Sequence, residues 1–198
     1  MGIKHFALLL MAFPNNALSQ THDGSHGSTP SAYAGEETRL IKSLSEQDLE
    51  EIAHGGGWGL ARAAELNGVP GPTHLLELAV EVGLTDQQRE DIEAIRAQMQ
   101  ADAITAGERF VAAERALDEA FQQGAPNAEA LKRLVAEAGK ARAALRLVHL
   151  NAHLLTLPLL TNAQVSQYSV LRGYSDDPCA SVPEGHDPEM WRSHNGCN

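Results

Sequence analysis

The stretch that decides the fold is residues 84–123, LTDQQREDIEAIRAQMQADAITAGERFVAAERALDEAFQQ. Its apolar and small side chains recur every three or four residues, at Ile92, Ile95, Met99, Ala103, Ala106, Phe110, Ala113, Leu117 and Phe121. This spacing follows the 3.6-residue repeat of an α-helix, and no proline interrupts it. The stretch therefore predicts one amphipathic helix, roughly 55–60 Å long at 1.5 Å per residue.

A second long helix follows the turn Gly124-Ala125-Pro126-Asn127. Its apolar positions alternate by three and four, at Leu131, Leu134, Ala138, Ala141, Leu145, Val148, Ala152 and Leu155. Such a seam is typical of a helix packed lengthwise on another, and the short turn makes the two helices antiparallel. Pro158 ends the pair.

Shorter helices flank this hairpin. Ser45 and Asp48 have the spacing of a helix start, and we expect further helices at about Trp58–Leu66, 73–82 and 161–172. Alternating apolar runs typical of strands are absent from the sequence. The fold class predicted is therefore all-α, a long antiparallel helical hairpin with short flanking helices and irregular tails.

The ends of the chain differ in composition from this helical domain, residues 45–172. Residues 1–19 combine Lys4, a short apolar run and Ala17-Leu18-Ser19, which is typical of a secretory signal peptide, with a buried N-terminal helix as the alternative. Residues 20–44 are predicted to be a flexible linker, and residues 173–198 an irregular C-terminal tail. No apolar run is long enough for a membrane span.

The formal charge of −11 excludes two classes of partner. An acidic chain repels nucleic acid and anionic lipid, so we expect it to bind neither. The only two cysteines, Cys179 and Cys197, lie in the tail, and in an oxidising compartment such a pair forms a disulfide. The alternative is a Cys/His metal site, because His186 and His194 lie between them.

Two helix starts repeat one motif. Residues 84–88 read LTDQQ and residues 160–164 read LTNAQ, both of the form L-T-x-x-Q. The threonine caps the helix, the glutamine reaches back to the cap, and the leucine packs beside it. The motif residues are Leu84, Thr85, Gln88, Leu160, Thr161 and Gln164.

Two such motifs flanking an exported antiparallel hairpin resemble the LTxxQ-motif family, over about residues 73–172. That family includes the Spy/CpxP-type periplasmic chaperones and the CnrX- and ZraP-type heavy-metal sensor and resistance proteins. The resemblance implies a hooked four-helix arrangement, a homodimer and a location in the periplasm. It also implies one of two activities without catalysis: binding unfolded envelope proteins and modulating a membrane sensor of envelope stress, or sensing, buffering or resisting a transition metal.

A histidine pair favours the metal. His149 and His153 are four residues apart, so both imidazoles lie on one helical face, a spacing that lets two side chains chelate one ion. They flank the apolar seam, where a third helix or a second subunit can add ligands. Met99 lies level with His149 across the hairpin, and a thioether beside imidazoles suits nickel, cobalt or copper, with zinc a further choice. The alternatives are packing or hydrogen bonding for the histidines and core filling for Met99.

The third helix adds His74 and Glu77 as further possible ligands. The metal-sensor branch of the family carries a His-x-x-x-His pair on this helix, but the matching positions here are Leu75 and Ala79. Its glutamate ligand on the first long helix matches Arg96. His74 with Glu77 is a replacement for these ligands in one interpretation and a solvated pair in the other.

Enzymatic activity is not expected. The sequence has no Gly-x-Ser-x-Gly, no glycine-rich phosphate loop before a lysine and no His-Glu-x-x-His. The first hypothesis is a periplasmic metal-responsive protein, and the second is a Spy/CpxP-type holdase chaperone. Acidic residues outnumber basic ones between residues 72 and 172, whereas such chaperones carry a basic concave face.

Overall fold

The computed structural model describes residues 30–195 and residue 197. The signal peptide predicted at residues 1–19 and the start of the linker, residues 20–29, lie outside the described residues. The described chain is helical and contains no β-strand, which confirms the all-α fold class. Its α-helices are α1 (Glu46–Ala53), α2 (Arg62–Glu65), α3 (Pro72–Glu77), α4 (Ala79–Val82), α5 (Asp86–Gln122), α6 (Ala128–Thr156), α7 (Asn162–Leu171) and α8 (Pro188–Asn195).

The helical hairpin predicted from the apolar spacing is present as α5 and α6. The 37 residues of α5 give it a length of about 55 Å. Asn127 is the N-cap of α6: its side-chain oxygen accepts a hydrogen bond from the backbone N–H of Ala130 at 2.9 Å. A short turn connects the two long helices. The helices pack against each other along their length.

Both L-T-x-x-Q motifs form capping boxes, and the two boxes also bond to each other. Gln88 Nε2 donates to Gln164 Oε1 and Gln164 Nε2 donates to Gln88 Oε1, each at 2.9 Å. Gln88 Nε2 also donates to the carbonyl of Leu159 at 2.7 Å, and Gln164 Nε2 to the carbonyl of Gly83 at 3.0 Å. Each glutamine thus reaches the residue just before the other motif. We call this reciprocal pair the glutamine clasp; it ties the start of α7 to the start of α5.

The apolar core has two parts that lie at different levels of α5. Along α5, Ile92 belongs to the first part, and Ala103, Ala106 and Phe110 belong to the second. Its full members are Leu75, Ala79, Val82, Leu84, Ile92 and Tyr168 in the first part, and Ile41, Leu44, Ile52, Leu60, Ala103, Ala106, Phe110 and Leu145 in the second. Between these levels, Arg96, Met99 and Gln100 of α5 line a cleft instead of a core.

Two predicted boundaries were wrong. The linker was expected to extend to residue 44, but Ile41 and Leu44 are buried in the core, so the packed domain begins before α1. The short helix expected from Trp58 begins only at Arg62, because Trp58 has a φ of 44° and Gly59 a φ of 65°. Backbone in this left-handed region cannot continue a right-handed helix.

The third predicted helix is divided, and the tail is more ordered than expected. At Leu78 the backbone leaves the helical region (φ −108°, ψ 20°), which separates α3 from α4. The tail contains α8, and Trp191 Nε1 of this helix donates to the carbonyl of Pro178 at 2.8 Å. Cys179 and Cys197 form a disulfide bond, so their sulfur atoms are not the thiolates that a Cys/His metal site needs.

Across residues 30–195 and 197, no helix combines the length and the apolar character needed to cross a membrane.

Candidate functional site

A cleft of about 520 Å³ lies between the two parts of the core. Its floor is the hairpin, and its walls are the chain from His54 to His74 and the residues that follow Tyr168. We call residues 54–74 the cover segment. The cleft brings together side chains from four parts of the sequence: Arg96 and Met99 of α5, His149 and His153 of α6, Arg62, Glu65 and His74 of the cover segment and α3, and Arg172 and Tyr174 after α7.

Glycines let the start of the cover segment approach α5. Gly55 has a φ of 70°, and a Cβ added there would lie 2.8 Å from the backbone oxygen of Gln100. Gln100 Nε2 in turn donates to the carbonyl of His54 at 3.1 Å. A larger residue than glycine at position 55 would therefore push the cover segment away from the hairpin.

Trp58 fixes the next turn of the cover segment. Its indole N–H donates to Asp48 at 2.8 Å, and its backbone N–H donates to Glu51 at 2.6 Å. The ring packs on Phe110 with centroids 5.4 Å apart, and the guanidinium of Arg142 lies 5.3 Å from its centroid. These bonds hold a positive φ that a tryptophan rarely adopts.

His153 is oriented by the cover segment. The residue is 7% exposed, and Nδ1 donates to the backbone carbonyl of Val69 at 2.7 Å. Because this bond places the hydrogen on Nδ1, the lone pair of the neutral ring lies on Nε2. A backbone carbonyl bonded to one ring nitrogen is the usual support of a histidine that binds a metal through the other.

His149, one helical turn earlier, is the most deeply buried ionisable group of the cleft. It is 3% exposed, and its Nε2 has no hydrogen-bond partner. Burial lowers the pKa of His149, the neighbouring His153 lowers it further, and Glu51 and the Gly56 backbone oppose the shift more weakly. The ring is therefore neutral near pH 7, with an unused nitrogen in the interior.

Four of the five metal ligands proposed from the sequence line this one cleft: His149, His153, Met99 and His74. The fifth, Glu77, is exposed and accepts a hydrogen bond from His74 Nδ1 at 3.0 Å. The histidine pair is more buried than its place beside the seam suggested, because the cover segment lies over it. No group of three or more His, Cys, Asp or Glu side chains with a metal-binding arrangement occurs among the residues that the structure describes.

Glu65 is the centre of a polar cluster that the sequence did not reveal. Its Oε1 accepts hydrogen bonds from the hydroxyls of Tyr168 at 2.5 Å and Tyr174 at 3.1 Å, and lies 3.5 Å from Nε of Arg172. Its Oε2 lies 4.0 Å from Nδ1 of His153 and has no hydrogen-bond partner. Burial, followed by the bond to Glu65, raises the pKa of Tyr168, so this tyrosine remains a donor at every physiological pH.

The side chains around the cleft carry more positive than negative charge. Arg62, Arg96 and Arg172 line it, against the single carboxylate of Glu65, which is already paired with Arg172. The chain as a whole has a charge of −11, so this local excess of positive charge is opposite in sign to the net charge.

The lining of the cleft thus combines the two imidazoles of α6, one thioether and three arginines. Comparisons of the chain with protein-family models, with curated proteins and with solved structures gave no match. The likeness to the LTxxQ-motif family is therefore carried by its two motifs and the hairpin between them.

Proposed function

We propose that the cleft binds a transition metal ion, nickel, cobalt, copper or zinc, through His149 and His153, and that the protein is a metal-responsive protein without catalysis. The observation that carries this proposal is the buried Nε2 of His149, which has no partner and lies one turn from a second oriented imidazole. Met99 lines the same cleft and is a thioether donor for the softer of these ions.

Packing alone explains His149 less well. A buried nitrogen without a hydrogen bond costs roughly 1–3 kcal/mol, and a phenylalanine or leucine would fill the same volume without that cost. Coordination to a metal ion would offset it, because the neutral ring has its lone pair available.

The setting proposed is the periplasm, reached through the signal peptide at residues 1–19. It rests on the composition of those residues and on the LTxxQ resemblance. In that setting the protein would sense, buffer or give resistance to the metal, as a homodimer and together with a membrane sensor protein if it follows the metal-sensor branch of that family.

Isothermal titration of the untagged, metal-free protein with each of the four ions tests the proposal. We expect one site per chain, and a loss of affinity of roughly 10–100-fold or more in His149→Phe, which keeps the ring volume but removes both nitrogens. His153→Asn should weaken binding similarly, because it removes the second imidazole. The asparagine amide can still donate to Val69 and keep the cover segment in place.

The matched control is His194→Ala, which removes an exposed histidine of α8 outside the cleft. It should bind like the wild type. Equal binding by the wild type, His149→Phe and His153→Asn, all folded by circular dichroism, would show that the ion binds elsewhere and would refute the proposal.

A second candidate function is a holdase chaperone, favoured by exposed leucines on α6. Leu147 and Leu154 are 56% and 62% exposed and lie on one face of the helix, with Leu155 beside them. Such a surface can hold an unfolded segment. Suppression of the aggregation of a denatured client at equimolar protein, lost in Leu147→Ser with Leu154→Ser, would support this function, and no suppression by the wild type would exclude it.

A further inference from the structure

We infer that residues 54–59 form a flap that closes over His149, and that this flap must lift before a metal ion can reach Nε2 of that ring. We call residues 54–59, HGGGWG, the glycine flap. The inference rests on the proposed metal site and concerns how that site is reached. Three observations carry it: the burial of His149, the small number of contacts that hold the flap, and the strained backbone of Trp58.

The ring of His149 cannot bind a ligand in the closed structure. His149 lines the cleft, but it is 3% exposed, and its Nε2 is buried without a hydrogen-bond partner. The backbone of Gly56 lies close enough to the ring to act on its pKa. A ligand that enters the cleft therefore reaches this nitrogen only after a neighbouring part of the chain has moved.

The glycine flap is the neighbour that can move. His149 belongs to α6, which packs against α5 along its length, so separating these two helices would break the core. The flap instead has glycine at four of its six positions, and Trp58 is its one side chain packed against the apolar core. A segment with few buried apolar contacts opens locally at a low free energy.

Hydrogen bonds hold the flap at its start, at its middle and at Trp58. At the start, Gln100 Nε2 donates to the carbonyl of His54 at 3.1 Å. In the middle, the N–H of Gly56 donates to the carbonyl of Glu51 at 2.8 Å, and near the end the N–H of Trp58 donates to the Glu51 carboxylate at 2.6 Å. The bonds to Glu51 tie the flap to α1, whereas the bond from Gln100 ties it to the hairpin.

The backbone of Trp58 is strained while the flap is closed. Its φ of 44° lies in the left-handed region, which a bulky residue rarely adopts. Such strain persists only where the surroundings impose it, here the packing on Phe110 and the hydrogen bonds to α1. Movement of the preceding glycines would let this backbone relax, so the strain reduces the free energy that opening requires.

One equilibrium then links opening to binding. If only the open flap admits the ion, the apparent affinity is the intrinsic affinity multiplied by the fraction of open molecules. A substitution that favours the open flap should therefore tighten metal binding, whereas the loss of a ligand weakens it. The two proposals thus predict changes of opposite sign for different residues.

The first experiment measures opening without any metal. The untagged protein is treated with diethyl pyrocarbonate, which acylates accessible imidazole nitrogens, and the modified histidines are located by peptide mass spectrometry. Exposed His194 is the internal standard. Modification of His149 should be slow in the wild type and faster by roughly threefold or more in Gln100→Ala, which frees the flap from the hairpin. Gln98→Ala is the matched control, because Gln98 is exposed on the same helix and bonds to Asp102 instead of the flap.

A second variant opens the flap from within. A Cβ at Gly55 would lie 2.8 Å from the backbone oxygen of Gln100, so Gly55→Ala should push the flap away and also increase the modification of His149.

The second experiment titrates the same proteins with nickel by calorimetry. We expect Gln100→Ala to bind nickel more tightly than the wild type, by the same factor as the increase in modification of His149. Gln98→Ala should bind like the wild type.

The other outcomes separate this inference from the proposed function. Equal modification of His149 in the wild type, Gln100→Ala and Gly55→Ala would overturn the flap, even where nickel binds as proposed. Faster modification with weaker nickel binding in Gln100→Ala would also overturn it, because the closed flap would then be part of the bound site. Faster modification with no nickel binding in any of the proteins would refute the proposed metal site and, with it, the entry of a metal ion through the flap.

Discussion

Gly71 packs directly against the imidazole of His153: a methyl group added at Gly71 would lie 2.6 Å from Nε2 of that ring. The backbone of Gly71 is extended, with a φ of −93° and a ψ of 156°, so other residues can adopt it without strain. The requirement for glycine here is therefore space for the histidine, and it places the cover segment and the proposed metal ligand in mutual contact.

Gly71→Ala should displace the His153 ring and weaken its bond to Val69. We expect metal affinity to fall by roughly tenfold or more, as it does when a supporting contact of a ligand is lost. Calorimetry measures this loss. Gly57→Ala is the control from the same segment, since a Cβ there meets no atom within 4 Å and should leave affinity unchanged. Unchanged binding in Gly71→Ala would mean that His153 is not a ligand.

Tyr168→Phe should destabilise the fold, because the buried carboxylate of Glu65 loses its shortest hydrogen bond. The expected decrease in the free energy of unfolding is about 1–3 kcal/mol, measured by urea denaturation. Tyr174→Phe removes a longer bond to the same oxygen from an exposed residue and should cost less than about 0.5 kcal/mol. Equal effects of the two substitutions would contradict the central position of Tyr168.

Because of Asp48, the free energy of unfolding of the domain should depend on pH in the acid range. Hydrogen bonds, first from the Ser45 hydroxyl and then from the Trp58 indole, hold the pKa of Asp48 below its usual value of 3.8. A lowered pKa in the folded state contributes stability above the unfolded pKa, and this contribution is lost as the pH falls towards the folded one. The advantage of the wild type over Asp48→Asn should therefore be constant above about pH 4 and shrink below it. Denaturation curves from pH 2.5 to 7 measure this advantage, and parallel curves for the two proteins would contradict the assignment.

The glutamine clasp should appear as energetic coupling between distant residues. Gln88→Ala and Gln164→Ala each leave the other amide without its partner, so the double variant should cost less than the sum of the single ones. The expected coupling is about 0.5–3 kcal/mol in a double-mutant cycle of unfolding free energies. Strict additivity would mean that the two capping boxes act independently.

Two helical glycines should respond to alanine in opposite directions. A Cβ at Gly107 of α5 would lie 2.6 Å from Cγ2 of Ile52, so Gly107→Ala should separate α1 from α5 and cost about 1–3 kcal/mol. A Cβ at Gly139 of α6 meets nothing within 4 Å, so Gly139→Ala should stabilise by about 0.5–1 kcal/mol through helix propensity alone. Thermal unfolding measures both changes, and a stabilised Gly107→Ala would contradict the close approach.

The sequence predicted those features that depend on local spacing. The two long helices follow from their apolar repeats, and the caps at Thr85 and Thr161 follow from a threonine and a glutamine three residues apart. The divided third helix was missed, because the strong apolar period of residues 75–82 carries no mark of the break at Leu78.

The sequence predicted only the part of the site that lies on a single helix. His149 and His153 share a helical face whatever covers them, so their pairing was visible in the sequence. The Glu65 cluster joins residues more than 100 positions apart, and no local pattern links a glutamate to Tyr168 or Tyr174. Residues 65–72 are rich in glycine and proline, but this composition does not indicate which distant side chains pack against them.

The glutamine clasp also constrains how this protein can evolve. Each glutamine completes the capping box of its own helix and is also the partner of the other glutamine, although 76 positions separate them in the chain. A replacement at one position leaves unpaired groups at the other, so selection should favour compensating changes at both. In any set of descendant sequences, positions 88 and 164 should therefore covary, and the two motifs should be kept or lost together.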